Sequence, residues 1–224
     1  MAKKTSKKAS SSRGAPGSKE ASGGRKNDRM MAIVGLFTAL QEKGAVWYRR
    51  EREGLVRLEG FQSALLAVRD AQAMPQDGDK DKKGPQVLAG LAGNVVMDPW
   101  LAEDLYQQVQ ELSSGFEVLL EEMYTLEAQA SDLVRGSSDD DDNQVPVNAT
   151  ALRPVDYLQM MSQELATFEA EYQHIEALLH LITFDTSTDQ LRTLIISWST
   201  SPFLDPEQTR SFFQRHQLSQ QLHA

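Results

Sequence analysis

The sequence predicts an all-α fold, and three observations predict it. Apolar residues recur at alternating steps of three and four over long stretches, which keeps them on one helix face. Several stretches open with a capping residue followed by proline, the chemistry of a helix start. Alternating apolar runs bounded by hairpin turns, the mark of strands, are missing. Five helices are expected, over about residues 29–73, 99–134, 154–184, 188–199 and 206–220.

The first helix carries the stripe Ile33, Phe37, Leu40, Gly44, Trp47, Glu51, Gly54, Leu58, Phe61, Leu65 and Val68. Gly44, Glu51 and Gly54 break it. Each interior glycine costs about 1 kcal/mol against alanine, so a bend or break is expected between Gly44 and Gly54. Residues 74–84 form a polar linker, and a short apolar stretch from Val87 to Met97 follows. That stretch is expected to pack as a loop or helical turn across the end of the helices.

The second helix has the clearest start, with Asp98 as cap and Pro99 at the first helical position. Its stripe is Ala102, Leu105, Val109, Leu112, Phe116, Leu119, Met123, Leu126, Ala130 and Leu133, apolar at every step. More than four heptads of this kind are of coiled-coil quality. As one helix, residues 99–134 would span about 54 Å. Residues 136–148 form a loop in which Asp139 to Asp142 read as a solvated charge run. Ser137 and Ser138 precede these acids and fit an acid-directed kinase.

The third helix begins near Pro154 with the stripe Leu158, Met161, Leu165, Phe168, Tyr172, Ile175, Leu179 and Ile182. A turn rich in capping residues, 184–188, separates it from a shorter helix presenting Leu191, Leu194, Ile195 and Trp198. Ser201-Pro202 stops that helix, and Asp205-Pro206-Glu207 starts the last. The simplest architecture is an elongated bundle of three long antiparallel, coiled-coil-like helices with two short C-terminal helices.

Composition bounds the function. The chain has 224 residues, a net charge of −9 and no cysteine. Disulfide scaffolds, thiolate zinc sites and cysteine nucleophiles are therefore excluded. No stretch approaches the roughly 20 apolar residues of a membrane span, and the N-terminus lacks the apolar core of a secretory signal. These features favour a soluble intracellular protein. Residues 1–28 hold eight Lys or Arg against Glu20 and Asp28, a basic tail on an acidic body. This Ser-, Gly- and Lys-rich segment is expected to be disordered, since it has little apolar surface to offset the entropy of ordering. Lys3, Lys4, Lys7, Lys8, Arg25 and Lys26 are candidates for nuclear targeting or weak contact with a phosphate backbone.

Catalytic constellations are missing. There is no Walker A, GxGxxG, HExxH or GxSxG pattern. His174 and His180 are six residues apart and do not share a helix face. Glu171 to His174 supplies one Glu-x-x-His element where a di-iron bundle needs two. The expectation is no enzyme, no metal and no cofactor. A helical binding module fits better, and its candidate partner-binding residues are Trp198, Pro202, Phe203, Phe212 and Phe213. Trp198 and Phe203 bracket Pro202. Phe212 and Phe213 are adjacent, point about 100° apart on a helix, and cannot both face one core. Trp and Phe are also enriched at binding hot spots.

The segment from Leu191 to Phe203, LRTLIISWSTSPF, resembles the C-terminal end of the cyclin-dependent kinase 2-interacting protein family. The positions that carry the likeness are Trp198, Pro202, Phe203 and the acidic cap Asp205. The layout over residues 29–222 is similar too, with Trp47 in the first helix and Tyr172 in the third. The glycine-containing stretch 85–97 also resembles the AAA-interacting ribosome-maturation factor family. Either resemblance implies a non-catalytic nuclear adapter, found also in the cytoplasm. It would pair with a second small helical subunit and with AAA ATPase subunits in large ribosomal subunit maturation and replication-linked chromatin protein turnover. Association with a cyclin-dependent kinase is implied as well. Two other readings stay open: a self-associating coiled-coil structural protein, and a nucleic-acid factor acting through its basic tail.

Overall fold

A computed structural model describes residues 20–73, 100–136 and 151–223. Lys3, Lys4, Lys7 and Lys8 lie outside the described residues. So do Asp98 and Pro99, the linker, the apolar stretch after it, and the acidic loop with its two serines. Six helices and no strand are present among the described residues. They are α1 (Glu20–Ala73), α2 (Leu101–Gln110), α3 (Leu112–Arg135), α4 (Pro154–Leu181), α5 (Thr188–Thr200) and α6 (Pro206–His223).

Helix α1 is continuous for 54 residues, about 80 Å at 1.5 Å per residue. The break expected between Gly44 and Gly54 does not occur. Ten of the eleven stripe positions, both glycines and Glu51 included, are buried, and Val68 is half-buried. The helix also begins at Glu20 rather than at residue 29, so the expectation of disorder fails for residues 20–28. Arg25 and Lys26 lie within its first turns. Extending an existing helix needs no new nucleus. Arg29 fixes this end by donating to the Gly136 carbonyl at 3.3 Å.

The single rod expected over 99–134 is two helices, separated at Glu111. At this junction the Ser114 hydroxyl donates to the Glu111 carbonyl at 2.9 Å. Gly115 follows, and an added Cβ there would meet the Arg50 guanidinium. The interruption leaves the stripe in phase. Val109, Leu112, Phe116, Leu119, Met123 and Ala130 are all buried.

Helix α4 starts as expected at Pro154, where the Asp156 carboxylate accepts from the Arg153 backbone N–H at 2.8 Å. It ends at Leu181, three residues before the expected end. The Thr186 hydroxyl donates to the Leu181 carbonyl at 2.8 Å and accepts from the Thr183 N–H at 2.9 Å, closing the turn. Ser187 and Gln190 form the capping box of α5. Ser201, in the left-handed region at φ 39°, ends α5, and Pro202 prevents its continuation. Asp205 Oδ1 accepts from the backbone N–H groups of Glu207 and Gln208, at 3.0 and 3.1 Å, and so starts α6.

Individual contacts link these helices. Going up α1, the partners on α2 and α3 descend in number. Arg29 meets Gly136, Lys43 pairs with Glu122 at 2.6 Å, and Gly60 faces Leu105. The partners on α4 ascend: Phe37 stacks on Tyr157, Gly44 faces Phe168. The C-terminal helices lie end to end on α1, again with descending numbers. Arg69 donates to the carbonyls of Phe184 and Thr186, Gly54 faces Trp198, and Phe37 packs on His216. The larger core cluster is centred on Trp47, Phe61, Phe116, Phe168 and Trp198. A smaller one holds Ile33, Phe37, Leu40, Tyr157, Met160, Met161 and Phe212.

Candidate partner-binding site

The connection between α5 and α6 crosses the face made by α1 and α4. Its anchor is Trp198, 2% exposed. The indole fits only because position 54 is glycine, since an added Cβ would stand 2.5 Å from Trp198 Cζ2. The indole N–H donates to the Glu51 backbone carbonyl at 3.0 Å. The Phe116 ring closes the pocket edge-on, with centroids 6.0 Å apart. Five residues on, the Phe203 N–H donates to Glu171 Oε2 at 3.1 Å. In α6, Phe212 enters the smaller core, and the Ser219 hydroxyl accepts from the Leu152 N–H at 3.1 Å.

The face under this segment carries three buried carboxyls: Glu51, Glu164 and Glu171. Glu51 Oε1 accepts from the Trp47 indole N–H at 3.1 Å. Glu164 accepts from the Gln41 side-chain amide, with the Thr209 hydroxyl beside it. Among the described residues, no Lys or Arg forms an ion pair with any of the three. Loss of hydration therefore dominates their chemistry. Burial pushes the carboxyls of Glu51 and Glu164 up to about 7, and raises that of Glu171 as well. The Glu171 charge adds to the rise at Glu51. Burial also raises the Tyr48 phenol, which neighbours Thr209.

The five expected partner-binding residues divide into two groups. Trp198 and Phe212 are core residues, at 2% and 7% exposure, so direct partner contact is corrected to anchoring for both. Phe203 and Phe213, at 49% and 45%, are accessible, as is Pro202. The split between Phe212 and Phe213 follows from their 100° separation on the helix. Phe203 leans on His174, with ring centroids 5.8 Å apart. His174 Nε2 lies 3.3 Å from Ser197 Oγ, which ties α4 to α5. Nearby on the surface, Ile196 on α5 is exposed.

Sequence reasoning passed over Glu164 and Tyr48, and weighed Glu171 only as part of a metal motif. The signal was a second stripe on α4: Tyr157, Met160, Glu164, Phe168, Glu171, Ile175 and Leu178, all buried. A helix with two such stripes packs on two sides, and two carboxyls within one of them mark a polar seam. Among the described residues, no group of three His, Asp or Glu side chains is placed to hold a metal ion, and no helix is long and apolar enough to cross a membrane. No family model, curated protein or solved structure matches the chain.

Proposed function

We propose that this chain is a non-catalytic helical adapter that presents aromatic side chains from its C-terminal segment to a protein partner. The observation that carries the reading is the pairing of anchored and accessible rings. Trp198 and Phe212 are clamped into the core, and Phe203 and Phe213, each next to Pro202 or Phe212, stand accessible. A side chain held on a fixed backbone loses less entropy on binding than one on a mobile loop, and aromatic rings dominate hot spots. The three long rods are α1, α2–α3 and α4, alternating in direction as an elongated coiled-coil-like bundle; the ordered contacts along them support this arrangement.

The partner class follows the resemblance of residues 191–203. It is a second small helical subunit together with AAA ATPase subunits, in a nuclear complex for large ribosomal subunit maturation and chromatin protein turnover, with a cyclin-dependent kinase as a further partner. The acidic body would repel nucleic acid, leaving any such contact to the basic residues near the N-terminus. The test is gentle affinity purification of the tagged full chain with mass spectrometry. Recovery of AAA ATPase subunits and a small helical protein is expected. Recovery of the chain alone, as a self-associated species, would replace this reading with that of a structural coiled coil.

A further inference from the structure

Between α1, α4 and α6 lies a cavity of about 360 Å³, where the two core clusters meet. Its walls include the aromatic residues Tyr48, Phe168 and Phe213. The Tyr48 and Phe168 rings stand 6.2 Å apart, inclined at 66°. Gly44 keeps this wall open, because an added Cβ would come within 3.1 Å of Phe168. One carboxyl borders the space, that of Glu164, 2% exposed and hydrogen-bonded to Gln41. Arg210 also borders it, with an exposed side chain and no ion pair to Glu164.

Above about pH 7 the Glu164 carboxyl is an anion in a mostly apolar cavity, whose other polar wall residues are Gln41, Thr209 and the exposed Arg210. Such a site is complementary to a cation that carries its own apolar surface. A primary ammonium would give up strong hydration to enter. An alkylated ammonium is weakly hydrated, and its diffuse charge is drawn to ring faces. The volume falls in the lower range of small-ligand sites.

We propose that this cavity binds an alkylammonium group, with its charge against Glu164 and its methyl groups against Tyr48, Phe168 and Phe213. The site shares Phe213 with the proposed adapter surface, but a small-ligand titration tests it without any protein partner.

The test is calorimetric titration of the full chain at pH 8, where the Glu164 carboxyl is charged, with choline beside its neutral isostere 3,3-dimethylbutan-1-ol. Choline is expected to bind at least tenfold more tightly. Phe213→Ala, at an exposed position, should weaken choline tenfold with the melting temperature unchanged. Glu164→Gln should remove the preference for choline over the alcohol. A short peptide with one trimethyl-lysine distinguishes the source. Tighter binding of the peptide assigns the site to a partner's modified side chain, and tighter binding of choline assigns it to a free ligand; both support an alkylammonium site. Equal affinity for choline and the alcohol, binding unaffected by both variants, or no choline binding would overturn the proposal.

Discussion

Between α1 and α3, Trp47 meets Phe116 with ring centroids 4.8 Å apart, inside a seam of aromatic and aliphatic side chains. One heptad further along the same stripe, Trp198 meets a glycine and a backbone carbonyl, and buried carboxyls line the contact. The first seam is held by area removed from water and tolerates volume-conserving exchange. The second depends on a notch and on the protonation of acids. One helix therefore carries a contact that any apolar stripe could make and a contact that only this segment fits. The residues that look like defects in the α1 stripe are the ones that select it.

The comparison breaks most readily at the notch. Trp198→Ala should cost about 3–5 kcal/mol, as for other buried aromatics truncated in a core. Gly54→Ala should cost about 1–3 kcal/mol by overpacking against the indole. Combined, the two should cost clearly less than their sum, because the alanine methyl has no indole to meet in the Trp198→Ala background. Denaturant unfolding of the two single variants and the double variant checks this. Simple additivity would mean that Gly54 does not serve as the seat of Trp198.

Acid–base chemistry is the next way to sharpen the comparison. Glu51 and Glu164 titrate at about 7 in the folded chain, against an ordinary value of 4.5. A carboxyl whose folded value is raised contributes stability below its unfolded value and loses it as pH rises through the folded one. Stability should therefore fall between about pH 4.5 and 7, by roughly 2–3 kcal/mol per carboxyl. His216 acts in the opposite sense, because burial lowers it and favours its neutral form as pH rises. Two carboxyls outweigh one imidazole, so the net slope should be downward. Thermal melts of Glu51→Gln with Glu164→Gln should lose that slope. An unchanged slope would place the titrating groups elsewhere.

The smallest effect marks a glycine that is not a notch. An added Cβ at Gly35 meets nothing within 4 Å, and the position is exposed within α1. Gly35→Ala should raise stability by about 0.5–1 kcal/mol through helix propensity alone. A melting temperature that rises for Gly35→Ala and falls for Gly54→Ala would set the two kinds of glycine apart.

Local chemistry made the helix class and several starts legible in the sequence. Pro154, and Asp205 with Pro206, begin helices where caps and prolines predict them. The three stripes could be read because each faces inward along its whole length. What could not be read depended on partners distant in sequence. Nothing local says that Gly54 faces a tryptophan 144 positions later, so its propensity cost suggested a bend. The Ser114 hydroxyl at the α2–α3 junction, and the Thr186 hydroxyl at the end of α4, bond main-chain carbonyls in ways that apolar periodicity does not register. For the candidate site, the angle between Phe212 and Phe213 foretold one buried and one accessible ring. The burial of Trp198 was not foretold, because a tryptophan beside a proline reads equally as an anchor or as a hot spot.

The central claim is that the clamped C-terminal segment presents Phe203 and Phe213 to a partner. Its most direct test is quantitative affinity purification of the tagged wild-type chain beside the Phe203→Ala, Phe213→Ala double variant, at matched amounts of folded protein. The account predicts recovery of the partners by the wild type and a loss of at least tenfold in the double variant, since each ring is worth about 1–2 kcal/mol or more at a hot spot. Equal partner recovery by the two proteins would contradict it, and would move the binding surface away from this segment.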